Sequence, residues 1–189
     1  MKVKELFEEY VRPNIEGQKI TAYHCGNTFD GDFDLKFSGT GEGYRILGPG
    51  MYFITNKQFA KKYAKHANTD TATMYTVEID VDNFYNNMLL PTDRMRETME
   101  KIAEYMGFTR KTMPRDHNSL KNGRGFIGEV VNHVGHRKAQ QIFKRFGLNG
   151  AVESIDYTSE NMGIIWEIAV FDLNKIKIID REPVDKEVK

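Results

Sequence analysis

The chain has 189 residues, 40% hydrophobic and 29% charged, and its lysines and arginines balance its aspartates and glutamates to a formal net charge of zero. That length suits one domain with a proper core, the composition favours neither disorder nor a membrane protein, and no apolar run approaches the roughly 20 residues of a spanning helix. A single cysteine, Cys25, excludes an intramolecular disulfide framework, and with no export signal visible from Met1 to Tyr10 the expectation is a cytoplasmic protein.

Val3, Leu6, Phe7 and Tyr10 have helical spacing, which predicts a helix over Val3 to Tyr10 ended by Pro13. A first strand is expected from Lys19 to His24. From Cys25 to Gly50 the glycines at 26, 31, 39, 41, 43, 48 and 50 predict a long loop whose backbone bends sharply or approaches a ligand closely.

Met51 to Ile54 reads as a strand. Thr55, with Gln58 three residues on, resembles a capping box opening a helix through about His66, with Phe59, Ala60, Tyr63, Ala64 and Ala67 on one face. Alternation predicts a half-buried strand over Met74 to Ile79, and a turn-rich stretch from about Asp80 to Asn87.

Asp93 to Met106 reads as a helix stopped by Gly107, and Gly107 to Gly125 as a polar, basic surface loop. Helices are expected over Phe126 to Val134 and Arg137 to Phe146, with Gly147 as the stop of the second. Strands over Ala151 to Ile155, Ile164 to Phe171 and Ile176 to Ile179 complete the chain. This order lacks strict βαβ alternation, so the expected class is α+β with a largely antiparallel sheet in a single domain over 1–189.

Charge is uneven. Between Gly107 and Phe146 stand Arg110, Lys111, Arg115, Lys121, Arg124, Arg137, Lys138, Lys144 and Arg145 against only Asp116 and Glu129. A solvated helix face with a loop is the plainer reading of that asymmetry; a surface for an acidic partner or a phosphate backbone is the sharper one.

Three residues carry chemistry: His24 at the end of the first strand, Tyr52 after a Gly-Pro-Gly turn, and Glu167 inside an apolar strand. Each alone has an ordinary structural explanation in a core or at a strand edge. His133 and His136 lack a third metal ligand in register, and Gly39-Thr40-Gly41-Glu42-Gly43 does not join a strand to a helix as a dinucleotide fingerprint does. No metal site is expected. Cys25 should point to the face opposite His24, which argues against a thiolate-imidazole pair.

In order, His24, Tyr52 and Glu167 resemble the His-Tyr-Glu signature of the ADP-ribosyltransferase superfamily of the diphtheria-toxin and poly(ADP-ribose) polymerase type. Gly48-Pro49-Gly50-Met51-Tyr52-Phe53 followed by Ala60 and Tyr63-Ala64 is similar to the family's Gly-x-Gly-x-Tyr-Phe strand and its following helix. Glu167 to Asp172 and Ile176 to Ile178 resemble the last catalytic strand and its successor, so the likeness spans about Ala22 to Ile179. Phe33-Asp34 and the glycines at 39, 41 and 43 bring it closest to the transferase domains of phage and mobile-element polyvalent proteins.

The resemblance implies an ADP-ribosyltransferase-like fold, a mostly antiparallel split sheet with flanking helices, and NAD as a substrate with no metal. His24 would hold a ribose hydroxyl, backbone at Cys25 and Gly26 would grip the nicotinamide amide, and Gly50 would let the ligand come close. Tyr52 and Tyr63 would sandwich the nicotinamide ring. Ala60 stands where polymerase-type relatives bond the amide with a serine, and Ile165 where arginine-modifying relatives carry Glu or Gln, which disfavours arginine as the acceptor. Glu167 would steady the positive charge that grows on the sugar.

The implied activity is mono-ADP-ribosyl transfer from NAD to a protein or nucleic acid, in the host cytoplasm if phage-encoded, with no membrane partner. The alternatives are an NAD glycohydrolase, a relative that processes RNA 2′-phosphates, and a non-catalytic module that binds NAD or ADP-ribose.

Overall fold

The computed structural model describes residues 14–35, 47–68, 71–87, 89, 91–108, 125–155 and 164–185. The helix expected over Val3 to Tyr10, the glycines at 39, 41 and 43, and most of the basic stretch between Gly107 and Gly125 lie outside them. Among the described residues no helix is long and apolar enough to cross a membrane.

Strands β1 (Gln18–Gly26), β2 (Met51–Ile54), β3 (Thr71–Val81), β4 (Phe84–Asn86), β5 (Gly150–Ile155), β6 (Ile165–Val170) and β7 (Ile176–Asp185) form one seven-stranded sheet in the order β4-β5-β6-β2-β1-β3-β7. Every pairing is antiparallel except β4 with β5. The protein is α+β, and the described residues hold four α-helices: α1 (Lys57–Lys61), α2 (Asp93–Tyr105), α3 (Phe126–Val134) and α4 (His136–Arg145).

Local chemistry explains most element ends. The cap of α1 is Asn56, whose side chain accepts from the Phe59 amide, not Thr55. Thr55 is engaged elsewhere, its hydroxyl accepting from the Trp166 amide. After Lys61 the chain tightens into a 3-10 turn over Lys62–His66. With about three residues per turn the expected apolar face cannot continue: Ala64 and Ala67 stay buried, while Tyr63 swings out to 41% exposure. Thr92 caps α2, and Gly107 ends it with φ +71°.

Two expected boundaries shift. Within the turn-rich stretch, Asn83 takes φ +57° and the next residues form β4, held parallel to β5. β7 runs six residues past Ile179 as a mostly exposed edge strand, with Pro183 inside it. Its polar side chains hide a strand from any search for apolar alternation, and an edge tolerates the missing proline donor. β3 is longer than the expected Met74 to Ile79: burial alternates as expected over its second half, with Tyr75, Val77, Ile79 and Val81 buried and Thr76, Glu78 and Asp80 partly exposed, while Ala72–Tyr75 are buried on both faces.

One face of the sheet carries Ala22, Met51, Phe53, Tyr75, Val77, Val152, Trp166, Ile168 and Val170, closed over by Phe33 and Ile15. The opposite face carries two separate apolar clusters. Ala151, Ala169 and Phe171 pack under α2, α3 and α4, through Met95, Ile127, Ala139 and Phe143. Cys25, Ile54, Met74 and Ile165 pack under α1, through Ala60 and Ala64.

Candidate active site

The two-cluster face matters because a polar band lies between its covers. Along β6 the residues on that face are Ile165, Glu167 and Ala169. Ile165 belongs to the cluster under α1 and Ala169 to the one under α2–α4. Glu167 therefore stands at the seam, partly buried. Tyr52 stands beside it: Ile54 pairs with Glu167 and Tyr52 with Ala169, so Tyr52 and Glu167 are diagonal neighbours on one face, at about 7–8 Å between backbones.

Glu167 has no cation or hydrogen-bond donor partnered with its carboxylate among the described residues. Burial, followed by the charge of Glu153, pushes its carboxyl from the ordinary 4.5 up to about 7. Glu153 lies directly across on β5, registered opposite Glu167. Like charges placed opposite each other oppose folding. A costly carboxylate pair at a seam is an expected mark of a functional site, with structural networks as the competing explanation.

Sequence reading missed Glu153. Its alternation with Ala151 marks the face, but only the pairing of β5 with β6 reveals the neighbour. We predict that Glu153→Gln moves the pKa governing kcat/KM of any reaction that needs ionised Glu167 to lower pH. A pH profile of initial rates checks it, and an unmoved limb would disconnect the two carboxylates.

The Tyr52 ring is fixed by its hydroxyl, which donates to the Gly48 carbonyl at 2.9 Å. The intervening turn is tight because side chains have no room there. A Cβ on Gly50 would lie 2.7 Å from the Val170 carbonyl oxygen, and Gly48 itself takes φ +97°. Tyr63 is exposed on the turn after α1, its ring centroid 6.2 Å from those of Phe59 and His66.

His24 sits differently. Its ring lies on the other face, against Phe33, Phe53 and Tyr75 at centroid distances of 5.7, 5.8 and 6.1 Å. β1 and β2 pair in register at Tyr23 and Ile54 alone. Beyond that pair His24 Nδ1 reaches the Tyr52 carbonyl oxygen at 2.9 Å. Since a carbonyl only accepts, Nδ1 carries the proton. Burial lowers the imidazole pKa against the opposing pull of that carbonyl, so the ring is neutral and Nε2 is left as an acceptor.

Gly26 completes that arrangement, because a Cβ there would stand 3.0 Å from Nε2. The histidine and tyrosine are thus joined through backbone, and tyrosine and glutamate through sheet register, but His24 does not share their face. Cys25 and Ala60 are buried at 6% and 1% exposure in the cluster under α1. Their side chains pack with Ile54 and Ile165 on the same face as Tyr52 and Glu167, and Cys25 points away from His24 as strand alternation requires.

Comparison with protein-family models, with curated proteins and with solved structures finds no match.

The site's character therefore rests on its own geometry. A neutral acceptor at His24, an aromatic ring held by its own hydroxyl at Tyr52, and a desolvated carboxylate at Glu167 lie on three neighbouring strands, β1, β2 and β6. An open groove of about 440 Å³ lined by Lys57, Lys61, Met74, Glu182 and Val184 lies elsewhere, between α1 and β7. Lys57 already pairs there with Glu182 at 2.8 Å.

Removing the His24 ring deletes one acceptor from a partly buried position. With NAD as the ligand that the sequence resemblance implies, His24→Ala should raise KM about fivefold, the worth of roughly 1 kcal/mol for one hydrogen bond, with a smaller change in kcat. Steady-state kinetics at fixed pH check the split; an unchanged KM would leave the ring a packing group.

Proposed function

We propose that the protein is an NAD-dependent mono-ADP-ribosyltransferase, moving ADP-ribose from NAD to a macromolecular acceptor with release of nicotinamide. The observation that carries this reading is Glu167, half-buried and without a partner among the described residues, beside Tyr52 at the seam between two helix covers. The split of β1 from β2, with His24 and Gly26 at its edge, supports an extended ligand lying across the strands.

On this reading the nicotinamide ring stacks on Tyr52, with Tyr63 closing from the exposed side, and the ligand reaches His24 Nε2 on the opposite face only through the gap where β1 and β2 part, a ribose hydroxyl donating to it there. Glu167 accepts from the 2′-hydroxyl of the nicotinamide ribose. As the N-glycosidic bond lengthens, its electron pair leaves with nicotinamide as a neutral base, and the sugar becomes cationic. A carboxylate already stripped of water answers that charge more strongly than one in solvent. The cationic nicotinamide of bound NAD also favours ionisation of Glu167, drawing its pKa below the value of the empty site.

Tyr63 is exposed on the turn after α1, so its loss tests stacking with little disturbance of the core. We predict that Tyr63→Ala weakens NAD binding by about 1 kcal/mol, read as the dissociation constant by calorimetry. An unchanged constant would remove this tyrosine from the pocket.

The activity itself is tested by incubating purified protein with NAD labelled in its adenylate moiety and a cell lysate, then treating samples with protease or nuclease. Label carried by macromolecules, with nicotinamide released in equal amount, is the expected result. Free ADP-ribose without labelled acceptor would make the protein a glycohydrolase, and no nicotinamide release would make it a binding module.

A further inference from the structure

α4 buries Ala139, Ile142 and Phe143 and turns Arg137, Lys138, Gln141, Lys144 and Arg145 to solvent. Those exposed positions follow helical spacing, so they form one stripe about 10 Å long with a pair of cations at each end. Among the described residues no carboxylate lies within ion-pair distance of Arg137, Lys138, Lys144 or Arg145. The nearby helix α2 exposes Glu97, Glu100 and Glu104, yet none of them neutralises the stripe.

A second observation separates this stripe from an ordinary solvated face. At its far end the Arg145 guanidinium lies 4.6 Å over the ring of Tyr105, which is 49% exposed. Phe146 supports that ring at a centroid distance of 5.4 Å. Cations beside an exposed aromatic supply what an unpaired nucleotide strand needs, charge for its phosphates and flat surfaces for its bases. A duplex keeps its bases stacked inside and gains nothing from Tyr105, and an acidic peptide has no flat base to place there.

The stripe is also joined to the candidate active site. Gln140, on the flank of α4, donates through Nε2 to the Pro49 carbonyl at 3.3 Å, in the turn that sets Tyr52. We propose that the exposed face of α4, with Tyr105, docks a single-stranded nucleic acid and leads it toward the Tyr52 and Glu167 seam as the acceptor. Docking stands on the surface alone, whereas the acceptor role rests on the transferase reading.

The test is fluorescence anisotropy with labelled 20-nucleotide single-stranded RNA and DNA, a duplex of the same length, and polyglutamate, each over a range of salt. Single strands should bind more tightly than duplex or polyglutamate. In the combined variant Arg137→Glu, Lys138→Glu and Lys144→Glu, affinity should fall at least tenfold and the slope of log affinity against log salt should shrink by about 2, since each lost phosphate contact removes about 0.7. Tyr105→Ala should weaken single-strand binding about tenfold with the salt slope unchanged.

Both variants lie on the surface, and circular dichroism checks their folding. Nicotinamide release from NAD should persist in the charge-reversed variant, so that loss of docking and loss of the transferase reading are told apart. No single-strand binding by the native protein, tighter binding of duplex or polyglutamate, or retained affinity in the charge-reversed or Tyr105 variant would overturn the proposal.

Discussion

Glu167→Gln is expected to lower kcat for nicotinamide release by at least about 10²- to 10³-fold, the loss typical of removing one group that answers transition-state charge. The dissociation constant of NAD should stay within a few-fold, because the amide keeps the shape and an acceptor oxygen while losing the charge. The same substitution should stabilise the fold at alkaline pH. Folded Glu167 holds its proton up to about pH 7, whereas the unfolded chain gives it up near 4.5.

Below the lower value both states are protonated and the group costs nothing. Between the two the unfolded state ionises first, so stability falls as pH rises. Above the upper value both are ionised and the full penalty remains, at most about 3 kcal/mol and less where solvent reaches the carboxylate. The variant should therefore melt higher than the native protein at pH 8 and equally at pH 4. Paired thermal melts read this, and a variant that is inactive but no more stable at pH 8 would argue against a desolvated carboxylate.

Gly48→Ala should have the largest structural effect among the site's glycines. Its φ of +97° is costly for alanine, and a Cβ would lie 2.5 Å from Ile127 Cγ2 and 3.2 Å from Phe171 Cζ. Backbone strain and overpacking together predict about 2–4 kcal/mol of destabilisation, or roughly 5–15 °C in Tm. The Gly48 carbonyl holds the Tyr52 hydroxyl, so NAD affinity should fall as well. Gly31 supplies the control: its φ is +91° with nothing within 4 Å of a Cβ. Gly31→Ala should cost only the backbone strain, and equal losses in the two variants would mean that packing around Gly48 is looser than described.

What the sequence discloses depends on the range of the interaction. Met51 to Ile54, Asp93 onward and Phe126 to Val134 are readable because caps, glycine stops and periodicity are local. β4 and the second half of β7 escape, since a three-residue strand and a polar edge are strands only by virtue of their partners. Thr55 looks like a cap until its hydroxyl is found on the Trp166 amide, far along the chain.

The candidate site follows the same division. His24, Tyr52 and Glu167 stand out as residue types in context. Their linkage runs through a backbone carbonyl and a strand register, neither of which a side-chain motif records. Glu153 is invisible without its cross-strand partner, and the placement of His24 on the face opposite Tyr52 follows only from the register of Tyr23 with Ile54, which sets His24 level with Phe53.

The most direct measurement is an NAD titration followed by backbone amide NMR. The account predicts that the largest shifts fall on both sides of the split, at His24, Gly26, Gly50, Tyr52, Tyr63 and Glu167. Shifts confined to the groove between Lys57 and Glu182, or no shifts at millimolar NAD, would contradict it.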